Sequence, residues 1–397
     1  MFSVLIPILT PEWRLSAGQA GLILGGFQLG SLVAYVIVGI LLDRVRSKPI
    51  MAVSAALVGF GDLLFAVGAR DFASGFLLRV LVGILIGGLY LPALKVIADT
   101  TPAARRGTAT GIYMATIVVA HAAPLFYIGV LAPLFGWRAT IAGIGILELL
   151  GALIIVLKVP NISLPPVVSP SRLASYVRDV LRNPPARRVI VAYTGHNWEL
   201  FGLWGWLAPF MVASLGAHGA ARADALARGG LLAAVAIGVG GAIGAVTGGR
   251  LSDRAGRTRA ATAMLTASLC CALVFGWLYS APVAVAASVA LLYGIVSLAD
   301  SPSYSATLME VVPTRSLGGA FAAQMLFGWA ATAAAPAAFG VILDLAKGAG
   351  AAPPAQWGTA FWLLALGPIA GIVALRRRAA AGVGEKAVAG RTTSART

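Results

Sequence analysis

The chain has 397 residues, 59% hydrophobic and only 11% charged, where a soluble globular protein carries roughly 25% charged residues. Mean hydropathy is +0.89, which excludes a soluble enzyme, a nucleic-acid-binding domain and a disordered chain. The net charge of +16 sits in short segments between apolar runs, where basic residues set orientation across a bilayer.

In chain order, an apolar fragment from Met1 to Leu9 comes first, without the basic start or small-residue cleavage site of a signal peptide. Nine residues cannot cross a hydrocarbon core of about 30 Å as a helix. Eleven later runs can: 19–42, 49–68, 73–95, 108–131, 139–158, 189–213, 228–250, 260–280, 283–304, 317–342 and 358–375. Counting the fragment as helix 1, these are helices 2 to 12. Residues 159–188 carry six prolines and five arginines and read as a linker, with a short surface helix over 171–181. The expected units are thus a bundle over 1–158, the linker 159–188, a second bundle over 189–375 and a basic tail, 376–397. Cys270 and Cys271 are neighbours inside one apolar run and read as packing residues with no metal or redox role.

Alternating sides from helix to helix places 23 Lys and Arg on one side and six on the other, with Arg79 inside a span. The basic side is therefore expected in the cytoplasm, together with both termini. The halves also repeat. Asp43-Arg44 recurs as Asp253-Arg254 after 210 residues, Pro92 as Pro302, Asp99 as Glu310, Pro102 as Pro313 and Pro124 as Pro336 after 210 to 212. Loop acids and helix prolines at a constant offset predict two related six-helix bundles. Aligned on this repeat, helix 1 is incomplete, and the expectation is that the chain begins roughly 13–20 residues late.

Gly39-Ile-Leu-Leu-Asp43-Arg44 and Gly249-Arg-Leu-Ser-Asp253-Arg254-Ala-Gly256-Arg257-Thr-Arg259 resemble the G-x-L-x-D-R-x-G-R-[KR] loop of the major facilitator superfamily. The second copy departs only at Thr258; the first has Arg46 in place of glycine and Ser47 in place of arginine. The resemblance implies an all-α membrane protein with the major facilitator fold, eleven full spans plus a truncated helix 1, working as a monomer in a bacterial inner membrane. It also implies a small-molecule substrate, alternating access and no enzymatic activity, cofactor or nucleic-acid partner. Asp43 and Asp253 stand at the negative ends of their own helices and need neighbouring arginines and another helix's N-terminus as compensation. By resemblance, those N-termini are near Leu317 and Thr108, and the clusters gate the cytoplasmic side, with Gly39 and Gly249 allowing close approach. The plainer alternative is that these charges only fix topology.

Helix 4 carries Arg79, Gly83 and Gly87 on one face, similar to the family's R-x-x-x-G-x-x-x-G motif. An arginine in a span either faces a cavity or reaches back to the headgroups. Helix 5 keeps only Pro124 of the drug-antiporter motif, which weakens an efflux assignment. In helix 7, His196 and Glu199 share a face near mid-depth and form either a proton-exchanging pair or a polar lock between helices. Asp300, beside Ser301-Pro302, is a cavity residue or a local cap; Glu148 is a proton relay or a neighbour contact; His121 reads as a core histidine and Asp62 as structural. No G-x-x-x-x-G-K-[ST] loop is present. The expected function is therefore secondary active transport, coupled to protons through Glu199 and His196 with Arg79 assisting. An uncoupled facilitator and an efflux pump are the alternatives, and a non-transporting sensor fits less well.

Overall fold

A computed structural model describes residues 2–42, 44–161, 180–313 and 316–394. Among these there is no strand, and eleven helices are long and apolar enough to span a membrane. A short apolar segment, Phe2–Trp13, contains α1 (Ile6–Trp13). It is followed by α2 (Ala17–Leu41), α3 (Ser47–Gly68), α4 (Phe72–Thr100), α5 (Ala103–Phe135) and α6 (Trp137–Lys158). The second set is α7 (Pro184–Ala217), α8 (Arg222–Ala255), α9 (Arg257–Ser280), α10 (Val283–Val311), α11 (Leu317–Gly348) and α12 (Pro353–Arg376). The helix of α12 continues to Ser394, through most of the tail that the sequence left without structure. Most of the surface helix expected over 171–181 lies outside the described residues.

Helix starts follow local chemistry. The Ser16 side chain accepts from Gln19 N–H while Gln19 Oε1 accepts from Ser16 N–H, a capping box that begins α2. Asp71 begins α4 in the same way, and the Ser74 hydroxyl and N–H hold its pKa below the ordinary aspartate value. Gly256, at φ +85°, makes the left-handed turn between α8 and α9. The equivalent residue in the first half is Arg46, at φ −62°, so the imperfect first motif copy turns differently.

Within the bundles, α2 packs on α4 and α3 on α4 and α6, while α8 packs on α10 and α9 on α12. Gly30 meets the α4 backbone at Val80, Gly83 and Ile84; Gly240 meets the α10 backbone at Leu291, Gly294 and Ile295. These two approaches are separated by the same interval as the sequence repeat; a Cβ at Gly30 would force the helices apart, and one at Gly240 would press on the α10 backbone. A π-helical stretch, Val235–Gly240, interrupts α8 just there.

The bundles join at the face opposite the basic loops. Gly21 and Gly25 of α2 lie on the α11 backbone at Pro336 and Ala333, and Gly129 of α5 lies on the α8 backbone at Leu226. The Asp344 carboxylate of α11 caps α2 across this seam, accepting from Ala17 N–H at 2.8 Å and Gly18 N–H at 2.7 Å. α1 is anchored at the same face. Its Trp13 ring packs against Phe65 and Trp137, and Glu12 accepts from Trp137 Nε1 at 2.9 Å and Arg138 Nη1 at 3.1 Å.

Candidate functional site

A cavity of about 210 Å³ lies between the bundles. It is bounded by α2 to α6 on one side and by α7, α8 and Pro336 of α11 on the other. Its wall is mainly apolar, and the charged groups on it are Asp62, Arg79 and Glu148.

Asp62 and Arg79 stand on α3 and α4, which form a hairpin turning at residues 69–71. Nearly equal distances from that turn bring both side chains to one depth, about 10 Å from the helix ends. Arg79 Nη1 lies 3.5 Å from Asp62 Oδ1, and the two residues are only 4% and 1% exposed. The guanidinium also sits 4.6 Å from the centre of the Phe27 ring and 6.0 Å from those of Phe2 and Phe65. On α6, eleven residues from its start, Glu148 lines the same cavity, and its buried Oε2 has no hydrogen-bond partner. The wall thus sets two carboxyl groups and one guanidinium around a single cavity.

Aromatic side chains line the approach from the basic side. His121, its Nδ1 on Ile117 O at 2.9 Å, is 5.0 Å from the Trp204 ring. Phe201 contacts Trp204 and Trp329; Trp329 lies 4.9 Å from Tyr35, which meets Tyr90, which stacks on Tyr113. These rings come from both bundles, so any change in their separation reshapes the wall.

The pair expected to carry protons, His196 and Glu199, lies on the opposite side of α7. Helical spacing separates them from Phe201, Trp204 and Gly205, which face the cavity. His196 Nδ1 is 2.8 Å from Asp300 Oδ1, and Tyr304 donates to Asp300 Oδ2 at 2.5 Å. Glu199 Oε1 accepts from Ser268 Oγ at 2.7 Å and Tyr293 OH at 2.9 Å. All three ionisable groups are 2% exposed and enclosed by α7, α9 and α10 of the second bundle. Asp300 occupies the junction between the two helical segments of α10, Val283–Ala299 and Ser301–Val311. His196 therefore meets Asp300, which the sequence ranked separately, while Glu199 is held by hydroxyl groups.

At the basic face, Asp253 is exposed and pairs with Arg257 at 3.3 Å; Arg257 also binds Glu310 at 2.8 Å. These contacts stay within the second bundle. Gly249 faces open space, Arg44 and Arg254 are exposed, and Gly39 lies in the last turns of α2. Asp43 falls outside the described residues. No group of three His, Cys, Asp or Glu residues among those described is arranged to hold a metal ion.

Sequence reasoning read Asp62 as structural and gave it no partner; the structure sets it beside Arg79 on the cavity wall. The hairpin supplied a usable signal, because an acid and an arginine at nearly equal distances from one tight turn lie at the same depth on adjoining helices.

The sequence model of the Major Facilitator Superfamily matches residues 1–336. A search of curated proteins returns no match. Among solved structures, the chain is similar to a bacterial homologue of the human lysosomal transporter Spinster in an inward-facing, occupied conformation (20% identity, TM-score 0.71, covering 95% of this chain and 90% of that one). It is also similar to the nucleoside transporter NupG (12%, TM-score 0.74, 94% and 92%). A third similar structure is the xylose transporter XylE from E. coli in a partially occluded inward-open conformation (15%, TM-score 0.67, 95% and 94%).

Proposed function

The chain belongs to the Major Facilitator Superfamily of membrane transporters, and from that premise we propose that it moves a small molecule by alternating access, driven by protons. The observation that supports the coupling is the Asp62–Arg79–Glu148 cluster on the wall of the cavity between the bundles. Buried ionisable groups in a membrane are costly and persist where a transported ion or substrate needs them. Glu148 releases its proton when the cavity opens to a less acidic side, and the second negative charge that results loosens Arg79 from Asp62. The substrate rests between this cluster and the aromatic wall while the bundles rock about it. His196 and Asp300, with Glu199 beside them, tie α7 to the break in α10, so protonation there alters how α7 sits in its bundle. The Asp253 and Asp43 clusters latch the basic face when it closes. In this reading the basic face is cytoplasmic, the protein acts as a monomer and the host membrane is a bacterial inner membrane.

The test begins with a thermal-shift screen of the purified protein to find a substrate, followed by uptake into proteoliposomes under an imposed pH gradient. Wild-type protein is expected to concentrate that substrate. Glu148→Gln is expected to keep gradient-independent exchange but lose accumulation by at least about tenfold. Undiminished accumulation by Glu148→Gln with the same pH dependence would overturn the coupling; exchange without accumulation in the wild type would identify an uncoupled facilitator.

A further inference from the structure

A second cavity, of about 520 Å³, lies between α7, α11 and α12 towards the basic face. We propose that it holds one acyl chain of an anionic phospholipid whose phosphate is bound by Arg187 and Arg376. The site is separate from the transport cavity, and the proposal rests only on the chain being membrane-embedded with these helices crossing the bilayer.

The groove exists because Gly195 of α7 and Gly367 of α12 meet backbone to backbone, so no side chain fills its floor. Its polar atoms are already satisfied inside the protein. Thr194 Oγ1 donates to Ile190 O at 2.8 Å, and Trp198 Nε1 donates to Leu363 O at 3.1 Å. What remains on offer is hydrocarbon, and Val191, Phe327 and Leu366 on the rim are 42%, 41% and 55% exposed. A polar solute would find no partner along this wall, whereas a lipid chain needs none.

Length and charge select the occupant. From Arg187 to Trp198 the groove follows α7 for eleven residues, about 16 Å at 1.5 Å per residue. That is close to half of a hydrocarbon core of about 30 Å, the depth of a single leaflet. Arg187 is the charged residue on the lining and stands at its basic end. α7 and α12 run antiparallel, so the Gly195–Gly367 contact sets Arg187 level with residues 375–376, and Arg376 is exposed there. Arg187 at the mouth of an apolar, one-leaflet groove, with Arg376 exposed at the same depth on α12, matches a phosphate joined to an acyl chain.

Native mass spectrometry of the detergent-purified protein, titrated with phosphatidylglycerol or phosphatidylcholine of identical chains, tests this. Wild-type protein is expected to retain one phosphatidylglycerol more tightly than phosphatidylcholine. Arg187→Gln and Arg376→Gln are each expected to weaken phosphatidylglycerol roughly fivefold and leave phosphatidylcholine unchanged. Ala370→Phe, which fills the groove, is expected to weaken both lipids while the variant keeps its wild-type thermal unfolding temperature. Equal retention of the two lipids, or unchanged retention in Ala370→Phe, would overturn the site. Chain-free glycerol phosphate competing as well as the lipid would show an anion site at the arginines and equally overturn the groove as a lipid site.

Discussion

Replacing Asp344 by alanine is expected to shift the protein towards a conformation open at the face opposite the basic loops. In the structure this carboxylate is the charged contact that crosses the α2–α11 seam, and it satisfies two N–H groups that the start of α2 leaves without intrahelical partners. It also places negative charge at the positive end of the α2 dipole. Hydrogen bonds to a charged acceptor are worth about 1.5–3 kcal/mol each when buried and less at a half-exposed site. A loss of about 1.5 kcal/mol between two conformations changes their ratio by roughly tenfold. Spin labels at positions 70 and 349, on opposite bundles at that face, would read the change by electron–electron resonance after Cys270 and Cys271 are replaced. The longer separation is expected to grow in Asp344→Ala and less so in Asp344→Asn, which keeps one acceptor oxygen. A distance distribution identical to wild type in both variants would show that the glycine packing alone holds the seam.

The second large effect is expected at Arg79. Removing one partner of a buried ion pair strands the other charge, at a cost of about 3–5 kcal/mol. Asp62 is 1% exposed, so Arg79→Leu leaves it almost without solvent. Thermal unfolding of Arg79→Leu should therefore show a large loss of stability. Asp62→Asn in the same chain removes the stranded charge and is expected to restore most of it, because the two sites act as a unit. Transport is expected to fail in both the single and the double variant. Recovery of stability without recovery of transport separates the functional charge from its structural compensation. A double variant no more stable than Arg79→Leu would mean that Arg79 matters through Phe27 and its other ring contacts instead.

How much of this was legible in the chain depended on which physical signal each feature leaves. Spans were legible because bilayer thickness demands long apolar runs, and the repeat because equivalent loops keep their acids and prolines at a fixed interval. Intramembrane charge singled out Arg79 and Glu148 for the same reason. Partner identity was harder. The spacing of His196 and Glu199 put them on one face of α7, yet α7 is buried around most of its circumference, and the stripe through Arg187 and Val191 that it leaves open does not say which buried face meets the cavity. Periodicity alone therefore left open whether that face meets the cavity or the interior of its bundle. Asp300 was found as a polar residue at a helix break, but its contact with His196 depends on how α10 crosses α7, which no local pattern encodes. The α12 extension past Arg376 was missed for the opposite reason: an Ala-rich basic segment carries helix propensity without any hydrophobic period to mark it.

The most direct measurement is infrared spectroscopy of the protonated-carboxyl band of purified protein between pH 5 and pH 8, which requires no known substrate. A transport proton carried by Glu148 on the cavity wall predicts a pH-dependent band that disappears in Glu148→Gln and persists in Glu199→Gln. If the band survives Glu148→Gln unchanged and is lost in Glu199→Gln, the titrating proton belongs to the enclosed cluster on α7 and the cavity-wall account is wrong.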